Sequence, residues 1–178
     1  TMLFKPKGAE VLILLDGNNT SSKFLSLLSK RQDVRLFRTS EALGISGALN
    51  FLLRESRFDL IARMDADDVC LPGRFKKAMS DIELRGFDFV FTHIIFFGAS
   101  VRPIGLLPQL PVRLSSEEAK WMLWLDNPYA HPTLVARKSS ILKLGGYRDT
   151  IYEDLDLWLR AQAAGFKFKR LSRYGLLY

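Results

Sequence analysis

The 178-residue chain is 48% hydrophobic and 12% aromatic, and its 26 Lys and Arg against 19 Asp and Glu give a formal charge of +7. This excludes a disordered or low-complexity protein and suits one domain, residues 1–178, with a real core and an anionic partner. Cys70 is the only cysteine, so no intrachain disulfide forms, two histidines cannot complete a conventional zinc site, and no run reaches the ~20 apolar residues of a membrane span.

Val11-Leu12-Ile13-Leu14-Leu15 is a continuous apolar run ending at Asp16-Gly17-Asn18-Asn19, a buried strand and its turn. Residues 20–30 have helical spacing through Phe24, Leu25, Leu27 and Leu28, residues 34–37 form a short strand, and residues 44–54 form a helix. A strand over 58–64 delivers Asp65, Asp67 and Asp68, and Pro72 opens a helix through about residue 84 that Gly86 ends. Residues 87–97 are the clearest strand of the second half, and a loop over 98–111 follows. Ser115-Ser116-Glu117-Glu118 resembles a capping box for a helix over 119–125, and residues 133–136 form a short strand. After a Gly145-Gly146 turn come an amphipathic helix over 153–164 and a last strand over 166–171. Alternating strands and helices in the first half argue for an open, parallel α/β sheet, with a more irregular second half. The basic groups Arg74-Phe75-Lys76-Lys77, Arg137-Lys138 and Lys167-Phe168-Lys169-Arg170 read as solvated helix faces, and nucleic-acid binding is not expected.

Ligands of open α/β sheets bind beyond the carboxyl ends of the strands, where Asp65, Asp67 and Asp68 fall. Asp65 and Asp67 are two residues apart and point the same way on extended backbone, which suits a divalent cation shared with a diphosphate. The alternative is a turn and helix entry through Asp68 and Leu71-Pro72. Glu153 and Asp154 open a helix, where acids cap the first turn, or where Asp154 stands as a rigidly held general base.

Together these motifs resemble the inverting family 2 glycosyltransferases of the GT-A fold, bacterial surface-polysaccharide type. The likeness runs through residues 10–17, Gly44-Ile45-Ser46-Gly47-Ala48-Leu49-Asn50, residues 61–74, Asn127-Pro128 with His131-Pro132-Thr133, Gly145-Gly146-Tyr147-Arg148, and Glu153-Asp154 with Leu157-Trp158-Leu159-Arg160. The resemblance implies an open mixed sheet flanked by helices and lacking the usual first strand and helix, because only residues 1–9 precede Glu10. It implies that Asp16 contacts a nucleotide base, with Asp65 near ribose and metal and Asp67 on Mg²⁺ or Mn²⁺. Asp154 would deprotonate the acceptor, with Glu153, and more weakly His131 and Trp158, orienting it. His131 also reads as a backbone cap and Trp158 as core. The implied donor is a UDP-sugar, although Leu15 stands where many relatives carry another Asp. The implied acceptor is a carbohydrate or lipid-linked sugar, met in the cytoplasm at the inner face of the membrane, where the basic surface would suit an anionic bilayer. The Gln-x-x-Arg-Trp motif of processive synthases is missing, so single addition is expected. A sugar nucleotidyltransferase and a non-catalytic nucleotide-binding domain remain as alternatives.

Overall fold

In the computed structural model, which describes residues 4–17, 22–97, 103–105, 112 and 114–178, the apolar run after Glu10 forms strand β1 (Val11–Leu15). Helix α1 (Ser22–Ser29), strand β2 (Val34–Arg38) and helix α2 (Gly44–Glu55) follow, then β3 (Leu60–Ala62), β4 (Val69–Cys70) and α3 (Arg74–Arg85). The second half contains β5 (Phe89–Phe97), β6 (Pro103–Gly105), β7 (Leu114–Ser115), α4 (Ser116–Met122), a 3-10 turn (His131–Thr133) and β8 (Val135–Arg137). Helices α5 (Lys138–Lys143) and α6 (Glu153–Ala163) and strand β9 (Phe168–Leu177) complete it. Asn18, Asn19, the start of the helix expected from residue 20, and residues 98–102 and 106–111 of the expected loop lie outside the described residues.

Strands β1 and β2 pair in parallel, from Val11 opposite Val34 to Leu15 opposite Arg38. The remaining strands make a mixed seven-stranded sheet in the order β3-β8-β5-β9-β4, with β6 on β5 and β7 on β9. The parallel sheet expected of the first half is therefore confined to β1–β2. Strand β3 pairs antiparallel with β8 from the far half of the chain, and among the described residues the one parallel pair in the larger sheet is β5–β9. Among the described residues the two sheets share no strand pairing.

Three elements differ from their sequence reading for local reasons. Strand β3 is three residues long because the backbone leaves the ladder at Arg63, whose N–H still donates to Leu134 O at 3.0 Å. Strand β9 makes three further pairs with β5 beyond Arg170 because a register shift opposite Phe91–His93 absorbs Leu171-Ser172-Arg173, which breaks the strand alternation. Helix α4 begins at Ser116, three residues early, because Ser115 pairs with Lys169, leaving Glu117 and Glu118 in its first turn.

Strand β5 is covered on both faces at Phe89–Phe91, which is why that stretch is continuously apolar rather than alternating. Phe89 and Phe91 face a core with Tyr129, Leu157, Trp158 and Phe168, whereas Val90 packs with Ala78 and Ile82 of α3, Val135 and Leu171. Phe91 stacks on Tyr129 at 4.3 Å between centroids, and Trp158 stands edge-on to Phe91 at 5.0 Å and to Phe89 at 5.7 Å. The sheet is thus held between α6 and α3.

The basic groups are not simply solvated: Arg74 and Arg170 are 0% and 1% exposed. The Arg170 guanidinium donates to Pro128 O, and Lys77 and Lys169 neutralise buried Asp81 at 2.6 and 2.9 Å. Arg74 donates through Nη2 to Arg63 O and to Pro132 O, both at 2.6 Å, so one guanidinium joins the segment after β3 to the 3-10 turn. Burial lowers the Arg74 pKa, but a guanidinium remains charged.

Removing that donor leaves two carbonyls without it, at about 1–3 kcal/mol each where buried. Arg74→Ala should lower the unfolding free energy by about 3 kcal/mol in urea titrations. Arg74→Lys should recover only part, because an ammonium lacks the planar fork. An alanine variant as stable as the wild type would show that the clamp is dispensable.

Candidate functional site

The first component is the acidic turn. Beyond β3 the chain is irregular through Asp65 and turns at Ala66–Asp67, with Asp68 N–H donating to Asp65 O at 3.4 Å. The extended backbone expected to align Asp65 with Asp67 therefore stops short of Asp67, which is exposed in the turn. Asp65 is instead aligned with Arg63, whose Nη1 and Nη2 meet its two carboxylate oxygens at 2.8 and 2.6 Å. Asp68 is only 2% exposed, and its Oδ2 has no hydrogen-bond partner. Burial first, and then the charge of Asp65, pushes its pKa up to about 6.

The second component is Asp16, just past the carboxyl end of β1. Its Oδ1 accepts from Leu43 N–H at 2.7 Å and Thr39 Oγ1 at 3.0 Å, and its Oδ2 from Gly44 N–H at 3.1 Å. These bonds tie β1 to the entry of α2, where Leu43 at the N-cap has no capping side chain of its own. The carboxylate remains exposed, and Oδ2, with one donor, keeps a lone pair for a ligand.

The third component is the start of α6. Asp154 Oδ2 accepts from Asn127 Nδ2 at 2.7 Å, and its Oδ1 from Leu155 N–H at 2.7 Å. Glu153 Oε1 lies 3.7 Å from His131 Nδ1, and His131 Nε2 is 2.9 Å from the Tyr147 hydroxyl. Burial, helped by the positive charge of Arg63, drives the His131 pKa well below its ordinary value, so the imidazole is neutral at pH 7. Trp158 is wholly buried, the place of a core side chain, and meets the site through its edge-to-face contact with His131 at 5.6 Å.

Tyr147 is where these components meet. Burial raises its pKa, and the charges of Arg63, Asp154 and Glu153 all act on its hydroxyl. The acidic turn, through Arg63, and the start of α6 therefore border one neighbourhood. Helix α2 joins it too, because Asn50 exchanges two hydrogen bonds with the Tyr147 backbone, at 2.7 and 2.8 Å. Gly146, at φ 78°, permits this approach; a Cβ there would run into Asn50 Oδ1.

Among the described residues no three Asp, Glu, His or Cys side chains already hold an ion site. Mg²⁺ and its like take one or two carboxylates and complete their shell with water and phosphate oxygens. The exposed Asp67, the orphaned oxygen of Asp68 and the Arg63-paired Asp65 supply hard oxygen donors of that kind.

Arg63, Asn127, Tyr147 and Asn50 received no role from sequence. Arg63 had a signal, since a residue two before Asp65 shares its side of an extended segment. Asn50 had one too, as an amide beside Leu49, Leu52 and Leu53 in α2. The Asn127–Asp154 bond spans 27 residues, and no local pattern indicates it.

The chain was compared with known proteins. A model of glycosyl transferase family 2 matches residues 4–145. An uncharacterised Haemophilus influenzae glycosyltransferase is 29% identical over 165 residues, 91% of this chain and 61% of that protein. The amylovoran biosynthesis glycosyltransferase AmsE of Erwinia amylovora is 34% identical over 129 residues, 69% of this chain and 46% of that protein. An Escherichia coli UDP-Gal:alpha-D-GlcNAc-diphosphoundecaprenol beta-1,3-galactosyltransferase is 29% identical over 162 residues, 88% of this chain and 57% of that protein. The chain thus spans roughly half the length of the curated relatives it matches. The S. aureus TarS 1–349 structure in complex with UDP superposes with a TM-score of 0.77 at 13% identity, over 98% of this chain and 52% of that one, placing the fold among GT-A glycosyltransferases. With the match running from β1 through the acidic turn and the His131–Thr133 segment, the chain belongs to glycosyl transferase family 2.

Proposed function

We propose that the chain forms the donor-binding and catalytic part of an inverting, metal-dependent transferase. It moves a sugar from a nucleoside diphosphate, UDP in first place, to a hydroxyl acceptor in polysaccharide or glycolipid assembly. The observation that carries this reading is the chain of contacts from the acidic turn to the start of α6: Arg63 on Asp65, Arg74 joining Arg63 O to Pro132 O, and His131 between Tyr147 and Glu153. UDP as leaving group is supported by the TarS complex with UDP and by the UDP-Gal in the E. coli galactosyltransferase's name. That name, with its GlcNAc-diphosphoundecaprenol, supports a lipid-linked acceptor; under this reading donor and acceptor meet in the cytoplasm at the inner face of a membrane. Among the described residues no helix is long and apolar enough to cross one.

Each role follows from what a residue's partners leave free. Asp16 offers the exposed edge of a carboxylate already fixed by three donors, a rigid acceptor for a base N–H. Asp154 is the general base: Asn127 fixes one oxygen, and its remaining lone pairs take the acceptor proton. Neutral His131, held by Tyr147 and backed by Trp158, positions Glu153 beside it. Asp67 and Asp65 would hold Mg²⁺ or Mn²⁺, with Asp68 next to them in the same turn. When bound, the cation neutralises charge developing on the departing diphosphate. The base acts on the face of the sugar opposite that diphosphate, so the anomeric centre inverts.

Asp154→Asn should keep the Asn127 contact and UDP binding while lowering turnover about 10²–10⁴-fold, read as UDP released from a UDP-sugar with acceptor present. Undiminished turnover would remove Asp154 from the base role. Asp67→Ala should abolish the Mn²⁺-dependent part of UDP binding in isothermal titration, and full metal-dependent affinity in that variant would refute the metal assignment. Asp68 gives a pH test. Its folded pKa of about 6 exceeds the ordinary 3.8, so the folded state binds the proton more tightly, and this stabilisation is lost as pH rises from about 4 through 6. In metal-free buffer Asp68→Asn should raise the melting temperature at pH 7.5, with the gain vanishing near pH 4. A gain that is the same at both pH values would exclude Asp68 ionisation as its source.

A further inference from the structure

Among the described residues the two sheets share no strand pairing, so Asp16 is set against the rest of the site by other means. Helix α2 provides them. The smaller sheet holds both its ends: Asp16, past β1, accepts from Leu43 and Gly44 N–H at its entry, and Arg35 of β2 donates to Glu55 O at 2.7 Å. Its middle belongs to the larger sheet, where Leu53 is buried with Phe89 and Trp158 and Leu49 packs against the same core.

Two polar side chains of α2 take no part in that core. Ser46 and Asn50 lie one helical turn apart, at i and i+4, and so share a face. Asn50 Nδ2 donates to Tyr147 O at 2.7 Å, and its Oδ1 accepts from Tyr147 N–H at 2.8 Å. One planar amide thus satisfies both backbone groups of one residue. Ser46 Oγ adds a third bond, to Arg148 O at 2.8 Å. Gly145 and Gly146 both have left-handed φ, yet a Cβ at Gly145 would meet nothing within 4 Å, whereas one at Gly146 would run into Asn50 Oδ1. The missing side chain at Gly146 therefore admits Asn50 as well as turning the chain.

Helix α6 holds the residues just before. Arg160 donates through Nη1 to Leu144 O at 2.7 Å and through Nη2 to Gly146 O at 2.9 Å, while its Nε bonds Asp156 at 2.8 Å. A run of bonds therefore leads from Asp16 through α2, Asn50 and the turn at residues 144–148 to the helix that carries Asp154. We propose that Asn50 is a positioning residue: with Ser46 it fastens Tyr147 and Arg148 to α2 and so fixes the spacing between Asp16 and Asp154. This rests on the nucleotide and base roles proposed above. Asn50 touches no reacting atom; its effect is geometric, and a misplacement of about 1 Å at a reacting group can cost roughly 10²-fold in rate.

The test compares the wild type with Asn50→Ala and with the milder Ser46→Ala, which removes one bond and raises helix propensity. Each protein is measured well below its own melting temperature. Asn50→Ala should lower kcat for UDP release from a UDP-sugar, with acceptor present, about 10–100-fold, and Ser46→Ala by a smaller factor. UDP Kd in isothermal titration should stay within about twofold in both variants. Amide hydrogen exchange of the free protein should quicken about tenfold over residues 147–156 in Asn50→Ala, with α3 unchanged. Faster exchange beside full kcat overturns the proposal, because the bonds then serve the fold alone. Lost kcat beside unchanged exchange overturns it too, as does equal quickening in α3, which marks general destabilisation. A loss of UDP affinity that matches the loss of kcat overturns it in favour of a donor-site role. Should the Asn50 variant not fold, Ser46→Ala decides by the same readouts. Failure of the functional reading is seen separately: a wild type that releases no UDP overturns that reading, and exchange over 147–156 then decides by itself whether Asn50 fixes the start of α6.

Discussion

The site depends on a buried cation that no ligand supplies. Three aspartates between residues 65 and 68 repel one another, and β3 ahead of them makes a ladder of only three residues. Such a short antiparallel pair holds register weakly. Arg74 compensates from below by donating to Arg63 O and Pro132 O, so the acidic turn and the His131 segment cannot shift relative to each other. Arg63 works from the other side, forking onto Asp65 while its charge reaches His131 and Tyr147. Two arginines eleven residues apart thus divide the work, one bonding backbone and the other a carboxylate.

What was legible in sequence follows the range of the interactions concerned. The apolar run of β1, the stripe of α2, and the ends of α3 and α6 were readable because periodicity and left-handed glycines are local. Gly86 and Gly165 adopt φ of 70° and 78° where those helices stop. The pairing of β3 with β8 and the length of β9 were not readable, since each depends on a partner strand more than 70 residues away. The same division holds in the site. The acids were evident as residue types, but Arg74 looked like one more member of a basic group until its 0% exposure showed otherwise. Asn127 carried no mark of its bond to Asp154. Asp65 and Asp67 were aligned on a strand that ends at Ala62, so the period-two argument applied to Arg63 and Asp65 instead.

Asp16 shows why a structural role and a ligand role need not compete. Three donors fix its carboxylate at the entry of α2, which by itself accounts for an aspartate at that position. Fixing would also prepare it for the base contact proposed above, because a carboxylate with no rotamer freedom left to lose binds a ligand N–H at a smaller entropic cost. Leu15, beside it, is 8% exposed and packs inward, so it adds no polar group next to Asp16.

Asp68 carries this argument to its end. A carboxylate with a buried, unpartnered oxygen beside two further aspartates destabilises the free protein at neutral pH. Arg74 lies close enough for mutual charge attraction, but only its Nη2 is engaged, on two carbonyls, and its Nε and Nη1, like Asp68 Oδ2, have no hydrogen-bond partner. Under the metal reading proposed above, a cation at the turn would offset that local cost. Meanwhile the surrounding clamp holds together a turn whose charges oppose its closure.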